Sequence, residues 1–129
     1  RRFSIKWPND IVIGARKVCG MLLEMNADEQ SVHDVVAGIG PSIGPCCYEV
    51  GQEVADRAAE YPSCLTPHGP GHYMLDLWQL NTLELLEAGV PREQIYRADC
   101  CTSCHKDRFF SYRAEKGKTG RLYAVIYRK

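Results

Sequence analysis

The stretch VVAGIGPSIGPCCYEV, residues 35–50, changes its pattern near the middle. Its first residues are β-branched or small, which favours a buried strand. Glycine and proline then interrupt the pattern at Gly40-Pro41 and again at Gly44-Pro45, as they do where regular elements end. The apolar residues that follow are spaced as on one face of a helix. We therefore expect a strand that ends in a turn and leads into a helix.

The segments before this stretch have the composition and alternation of β-strands. We interpret residues 2–7, 11–13, 17–25 and 32–39 as strands, with a turn at Pro8-Asn9-Asp10. One face of the third strand is wholly apolar and should point to the core; it comprises Cys19, Met21, Leu23 and Met25. Together these strands predict an antiparallel β-meander, which alone is too small to bury a core.

The spacing of apolar residues changes to that of helices after Gly40. We predict helices near residues 48–60 and 74–88, the second with Asp76 in its first turn and Gly89 at its end. The other predicted features are a loop at 62–71, a strand at 94–98, a thiol-rich turn at 100–105 and a closing strand at 121–127. The predicted fold class is α+β, with a β segment over residues 1–40 and a mixed segment over 41–129 forming one compact unit.

The composition argues against several classes of function. The 129 residues include 16 Lys and Arg and 16 Asp and Glu, so no excess of charge points to nucleic acid or an acidic membrane surface. No apolar run reaches the roughly 20 residues that a membrane span needs. Because the chain opens on Arg1 without a signal peptide, we expect a cytoplasmic protein whose seven cysteines are reduced. Nothing in the sequence indicates the oligomeric state.

Residues 4–24, with the strand at 35–39, resemble part of the catalytic domain of biotin–protein ligases. SIKWPNDI is followed by RKVCGMLLE, as in that family's K-W-P-N-D and R-K-x-x-G segments. The resemblance implies that Lys17 contacts biotin and phosphate groups during formation of an acyl-adenylate from biotin and ATP. It also implies that Lys6, Asn9 and Asp10 help to form the substrate site. The alternative is that Lys6 and Lys17 are solvated lysines on a hairpin.

The family's glycine- and arginine-rich loop, which lies upstream of these segments, has no counterpart in the sequence. We therefore do not expect a working ligase.

From Ile39 onward the chain resembles the laccase-domain family, also called the multicopper polyphenol oxidase or YfiH-like family. The motifs that carry the resemblance occur in order: IGPSIGPCCYEVG from residue 39, LDLWQLN from residue 75, CTSCHKDRFFSYR from residue 101 and GKTGR from residue 117. Members of that family act on purine nucleosides, by phosphorolysis of the glycosidic bond or by deamination of adenine. The resemblance therefore implies a mixed helix and strand fold and a purine nucleoside as small-molecule substrate.

The same resemblance implies a zinc ion held by two His and one Cys, a set that leaves a position open for water. In the family these ligands lie in an A-D-C segment and an H-A-G-W-R-G segment, and neither occurs here before residue 40. Ala98-Asp99-Cys100 matches the first segment only by its letters. We therefore assign no cofactor and expect weak activity or none.

The two resemblances meet at Gly38-Ile39-Gly40, where both families have a similar strand. We interpret the chain as chimera-like, joined at this point by recombination, by design or in sequence assembly. Two alternatives to a laccase-domain-type enzyme fragment stay open. One is a non-catalytic binding or scaffold module, and the other is a fragment of a ligase.

The turn within residues 40–47 could form part of a substrate site. Backbone N–H groups at Gly44, Cys46 and Cys47 could meet an anion, as at other turns that lead into helices. A structural turn that lets strand and helix pack closely explains the same residues, and we favour that interpretation.

Cys101 and Cys104 form a C-x-x-C pair that could hold a structural zinc together with Cys46, Cys47 or His105. A single pair is a weak signal for zinc. The letters C-x-x-C-H also match a haem attachment site, which would require export. The plainest interpretation is that these cysteines are small buried apolar residues plus one reactive thiol. In the loop at 62–71 and just beyond it, His68 and His72 could bind a metal weakly.

Overall fold

The computed structural model describes residues 4–6, 10–13, 16–27 and 32–123 of the chain. The strands within these residues are β1 (Ser4–Lys6), β2 (Asp10–Ile13), β3 (Arg16–Ala27), β4 (Val32–Ile39), β5 (Glu49–Gly51), β6 (Leu65–Pro67), β7 (His72–Leu75) and β8 (Ile95–Arg97). The helices are α1 (Gln52–Arg57) and α2 (Leu77–Glu87), with single 3₁₀ turns at Pro62–Cys64 and Arg92–Gln94.

The larger sheet has the strand order β1-β2-β3-β4-β8. The first four strands pair antiparallel with their neighbours in the sequence, and the longest ladder joins β3 to β4. Strand β8 pairs parallel to β4, with Ala37 opposite Ile95. A parallel pair needs a long crossover connection, and the chain between these two strands supplies it with α1, α2 and the smaller sheet.

The smaller sheet consists of three short antiparallel strands in the order β5-β7-β6. The β6–β7 hairpin is closed by the N–H of His68, which donates to the His72 carbonyl at 2.8 Å. These strands replace two predicted features: the helix predicted over 48–60 is restricted to α1, and the loop predicted over 62–71 contains β6. Strands of three residues are too short for their alternation to be detected in the sequence.

Helix α2 begins three residues later than predicted, because residues 72–75 pair on both sides as β7. The Asp76 side chain accepts a hydrogen bond from the N–H of Gln79 at 2.9 Å and caps the helix, so it precedes the first turn. The helix ends at Glu87, one residue before the predicted end, and Gly89 follows with a φ of +93°, the left-handed conformation that commonly terminates helices.

The predicted strand at 32–39 is confirmed as β4 with the same bounds. The predicted strand at 94–98 is β8, which is two residues shorter. Of the predicted closing strand at 121–127, residues 121–123 are not in a strand, and the remainder lies outside the described residues. The predicted turn at Pro8-Asn9 lies outside them as well, as do the side chains of the predicted core face on β3.

Two clusters of buried apolar side chains lie beside α2. The first comprises Ala37, Ile39, Trp78, Leu85, Val90, Ile95 and Cys101. The second comprises Val50, Ala58, Cys64, Leu75 and Leu80. Because α2 contributes Trp78 and Leu85 to the first cluster and Leu80 to the second, it joins the larger sheet to the smaller one.

The mixture of strands and helices agrees with the predicted α+β class. Among the described residues, no helix is long and apolar enough to cross a membrane; the longer of the two, α2, has 11 residues.

Candidate metal centre

The turn after β4, residues 40–47, is held against the segment that follows β8. Ser42 forms an isolated parallel bridge with Cys101. The N–H of Thr102 donates to the Ser42 carbonyl at 3.0 Å, and the N–H of Ala98 donates to the Ile39 carbonyl at 2.9 Å. These backbone hydrogen bonds continue the pairing of β4 with β8 beyond the ends of both strands. They fix the position of one segment relative to the other.

Gly44 lies at the point of closest approach between these segments. A Cβ atom on Gly44 would lie 2.7 Å from Cη2 of Trp78, which is too close for any side chain, and 3.1 Å from Cβ of Cys101, which is a tight contact. Its N–H donates to Sγ of Cys101 at 3.2 Å. The Trp78 indole N–H also donates to Oγ of Ser42 at 2.8 Å, so α2 supports the same turn.

Four cysteines meet where the two segments approach. The side chains of Cys46, Cys47, Cys101 and Cys104, called the thiol cluster below, have all their sulfur atoms within 4.8 Å of one another. Sγ of Cys104 lies 3.5 Å from Sγ of Cys46 and 3.4 Å from Sγ of Cys47. These contacts join residues that are 57 and 58 positions apart in the sequence.

The thiol cluster lies at the surface with one buried member. Cys101 is buried, Cys47 is partly buried, and Cys46 and Cys104 are exposed. Cys101 packs in the first apolar cluster beside Trp78. The cluster is therefore closed on the side of the core and accessible from the solvent.

The environment favours a negative charge on one thiol of the cluster. Burial acts to raise the pKa of Cys101, but the N–H groups of Gly44, Cys104 and Ser103, with the Cys46 thiol, outweigh it and lower that pKa to about 7. Hydrogen bonds to the other three thiols of the cluster raise the pKa of Cys104 to about 12. Burial raises the pKa of Cys46, although its contact with Cys104 partly opposes this.

A second thiolate in this space would be repelled by the first unless a cation lay between them. Sulfur ligands are preferred by zinc, copper(I) and iron–sulfur clusters. Among the residues that the structure describes, the thiol cluster is the group of three or more ligand side chains that converges closely enough to hold a metal ion. Cys64 and Cys100 are free cysteines outside it.

The two histidines considered as weak metal ligands approach the same carboxylate. Nε2 of His68 lies 3.4 Å from Glu49, and Nδ1 of His72 lies 3.2 Å from the other oxygen of that carboxylate. All three side chains are about half exposed. The carboxylate of Glu49 thus lies within ion-pair distance of both imidazoles, in an exposed His–Glu–His arrangement.

The structure brings together five of the nine predicted site residues: Gly44, Cys46, Cys47, Cys101 and Cys104. The N–H of Gly44 is engaged by Cys101, and the N–H of Cys47 donates to the Gly44 carbonyl at 3.0 Å. These two N–H groups thus already have protein acceptors. That this turn binds a substrate anion stays a prediction.

Of the other four predicted site residues, Lys6, Asp10 and Lys17 lie in the first three strands. Lys6 in β1 is opposite Asp10 in β2, and Lys17 in β3 is opposite Val12. Asn9 and the side chains of the other three lie outside the described residues. Their ligase-like roles stay predictions.

Two contacts of this region were not predicted from the sequence. One is the hydrogen bond from Trp78 to Ser42, which explains why the LDLW and GPS segments belong together. The other is Arg113, whose guanidinium donates to the Glu49 carbonyl at 3.0 Å and lies 5.2 Å from the centre of the Tyr48 ring. The sequence indicated these contacts only in that the residues occur in motifs of one family. Their spacing along the chain does not predict that they meet.

The segment that carries Arg113 is ordered by Glu115. Its carboxylate accepts hydrogen bonds from the Thr119 hydroxyl and from the N–H of Ser111, the latter at 2.9 Å. These two donors lower the pKa of the Glu115 carboxyl, the Thr119 hydroxyl more than the Ser111 amide. The FFSYR and GKTGR segments are thereby connected at one side chain.

Comparison with known proteins shows the family to which this chain belongs. The sequence model of the multi-copper polyphenol oxidoreductase laccase family matches residues 15–129. The purine nucleoside phosphorylase YlmD of Geobacillus stearothermophilus is 46% identical over 101 residues, which are 74% of this chain and 37% of that protein. The purine nucleoside phosphorylase YfiH of Escherichia coli is 35% identical over 120 residues, which are 88% of this chain and 48% of that protein.

Solved structures agree with the sequence comparison. The crystal structure of the Bacillus licheniformis hypothetical protein YfiH is 39% identical and has a TM-score of 0.65, covering 67% of this chain and 34% of that one. The structure of YlmD from Geobacillus stearothermophilus is 45% identical, with a TM-score of 0.63 over the same shares. The chain therefore spans between about a third and a half of the length of these relatives.

The family match continues across the point at which a junction was predicted. It starts at residue 15 and passes through Gly38-Ile39-Gly40. The comparisons thus support the laccase-domain resemblance and give no support to a ligase segment or to a chimera.

The zinc ion implied by the family resemblance needs two His and one Cys. The described residues do not place such a set together, since the converging ligands are four cysteines. The described residues therefore do not fit that zinc ion.

Proposed function

Because the chain belongs to the multi-copper polyphenol oxidoreductase laccase family, we propose that the protein it forms or contributes to cleaves purine nucleosides with phosphate. The observation that carries this proposal is the combined match in sequence and fold. A relative named purine nucleoside phosphorylase is 46% identical, and its structure superposes with a TM-score of 0.63. Identity at this level, together with a shared fold, makes a shared reaction class the best starting hypothesis.

In this reaction an oxygen of inorganic phosphate attacks C1′ of the ribose. The bond from C1′ to N9 of the purine breaks, and the base leaves with its electron pair and takes up a proton. The products are ribose 1-phosphate and the free base. Such a site must hold a phosphate anion against a sugar that develops positive charge, so fixed hydrogen-bond donors around the phosphate supply much of the rate enhancement.

The described residues contribute a rigid frame to such a site. The turn after β4 is fixed from two directions, by the pairing of Ser42 with Cys101 and by the indole of Trp78. Since a displacement of about 1 Å can strongly reduce a rate, a turn held in this way can position groups beside it.

The test is an assay of the purified protein that contains this chain, at high concentration, with inosine and inorganic phosphate. We expect release of hypoxanthine and ribose 1-phosphate at a rate that depends on phosphate. The matched controls omit phosphate or omit the protein. No base above the protein-free rate would overturn the proposal, and conversion of adenosine to inosine without ribose 1-phosphate would replace it by deamination.

The ligase alternative has a separate test. Under the proposed function, calorimetric titration of the chain with biotin gives a flat trace. Heat of binding that disappears in Lys17→Ala but persists in Lys116→Ala would instead support the ligase-like role of Lys17. Lys116 serves as the control because it is an exposed lysine far from β3 in the sequence.

A further inference from the structure

We propose that the thiol cluster, Cys46, Cys47, Cys101 and Cys104, binds one zinc ion as a structural tetrathiolate site. This site is separate from the phosphorolysis proposed above. It is built wholly from described side chains.

The distances between the sulfurs match those of a tetrahedral zinc site. With Zn–S bonds of about 2.3 Å, the sulfurs of such a site lie about 3.8 Å apart. Here the Cys104 sulfur lies 3.4 Å from that of Cys47 and 3.5 Å from that of Cys46, and no pair is separated by more than 4.8 Å. The two contacts of Cys104 need to lengthen by a few tenths of an ångström, and no other pair needs to shorten by more than about 1 Å, for all four sulfurs to meet one ion.

The backbone holds these ligands in place independently of any metal. The bridge between Ser42 and Cys101 and the hydrogen bond from Thr102 to Ser42 fix the two ligand-bearing segments against each other. The N–H of Gly44 donates to the Cys101 sulfur at 3.2 Å. Donors to ligand atoms are the usual outer contacts of metal sites, since they orient the ligand and spread its negative charge.

The ligand set determines which ion fits and what it does. Four thiolates without nitrogen or oxygen ligands favour zinc among the abundant divalent ions of a cell. Four protein ligands also close a tetrahedral site, so no position is left for water, and the ion would be structural. Each bound thiol would release its proton to solvent. The exposed sulfurs of Cys46 and Cys104 give the ion a path of entry.

A disulfide is the competing use of these thiols. A disulfide needs sulfurs about 2.05 Å apart and joins only two residues. A disulfide between two of the cysteines would not explain why the other two thiols lie beside them. The ion explains why the adjacent pair Cys46-Cys47 and the C-x-x-C pair Cys101 and Cys104 face the same point. Its effect is to connect the turn after β4 to the segment after β8 across 57 residues of sequence.

The first test measures metal in the full chain, purified in reducing buffer without chelators. We expect about one zinc per chain by mass spectrometry of the elements. We also expect that Co²⁺ added to the zinc-free chain gives the thiolate charge-transfer and tetrahedral ligand-field absorption bands. Less than about 0.1 zinc per chain together with no such bands would overturn the proposal.

The second test assigns the ligands. Cys104→Ser and Cys46→Ser change exposed thiols, and each should weaken zinc binding at least about tenfold. The matched control is Cys100→Ser, which changes a partly buried thiol beside Cys101 that lies outside the thiol cluster. It should bind zinc like the unchanged chain. Equal zinc affinity in all three variants would contradict the assignment. So would a disulfide within the cluster, detected by peptide mapping of the protein isolated from a reducing cytosol.

Discussion

Gly44 allows the turn after β4 to approach Cys101 and Trp78. Neither neighbour can move away easily, because Trp78 is buried and hydrogen-bonded to Ser42, and Cys101 is buried in the same cluster. A methyl group at Gly44 would overlap Trp78 and make a tight contact with Cys101. The requirement for glycine here comes from space and not from backbone conformation.

We predict that Gly44→Ala lowers the free energy of unfolding by roughly 1–3 kcal/mol, the usual cost of overpacking. It should also weaken zinc binding, because it displaces the donor to the Cys101 sulfur. Urea denaturation measures the first effect and Co²⁺ absorption the second. The matched control is Gly51→Ala, where a Cβ meets nothing within 4 Å. Gly51 precedes α1, so this change should cost at most about 1 kcal/mol. Equal losses in the two variants would contradict the packing argument.

Half of the proposed metal ligands could be recognised from local spacing. Cys101 and Cys104 are three residues apart, which is a known ligand spacing. Cys46 and Cys47 are adjacent, a spacing that indicates no metal site on its own, and they were only candidates to join the pair. Tertiary structure alone selects them, because β8 pairs with β4 and brings the segments that follow both strands together.

Among the secondary-structure elements, α2 is stabilised by Asp76, the residue that precedes its first turn. Asp76 satisfies the N–H of Gln79, one of the groups that the start of a helix leaves without a partner. Asp76 was predicted inside the helix because the apolar spacing continues back to Leu75. Leu75 belongs instead to β7 and contributes to the second apolar cluster. The spacing therefore predicted the helix, but its first apolar residue lies in the preceding strand.

We predict that Asp76→Ala lowers the free energy of unfolding by about 1 kcal/mol, since it removes the cap of α2. Asp76→Asn keeps an oxygen acceptor and should retain most of the stability. Urea denaturation of the three proteins measures the difference. If Asn destabilised the chain as much as Ala, the charge of Asp76 and not its hydrogen bond would be the cause.

Across the whole molecule, α2 and the larger sheet connect the two segments predicted over residues 1–40 and 41–129. Ala37 and Ile39 of β4 pack with Trp78 and Leu85 of α2 and with Ile95 of β8. The α+β class and the main elements were predictable, because β4 is rich in β-branched and small residues and α2 is a leucine-rich segment that ends just before Gly89. The smaller sheet and the parallel β8–β4 pair were not predictable, because they depend on pairing between strands distant in sequence.

The strand at 35–39 explains why a junction between two families was expected. The strand at 35–39 has a pattern that buried strands of different families share, so a match to either family there is weakly specific. The family match from residue 15 onward includes this strand with the elements on both sides of it. The pairing of β3 with β4 and of β4 with β8 within one sheet agrees with that continuity.

X-ray absorption at the zinc edge of the purified chain identifies the atoms that bind the ion. If the thiol cluster is a zinc site, the first shell consists of about four sulfurs at about 2.3 Å with no nitrogen or oxygen. A shell dominated by nitrogen or oxygen at about 2.0–2.1 Å would contradict it, because zinc would then be bound elsewhere than Cys46, Cys47, Cys101 and Cys104.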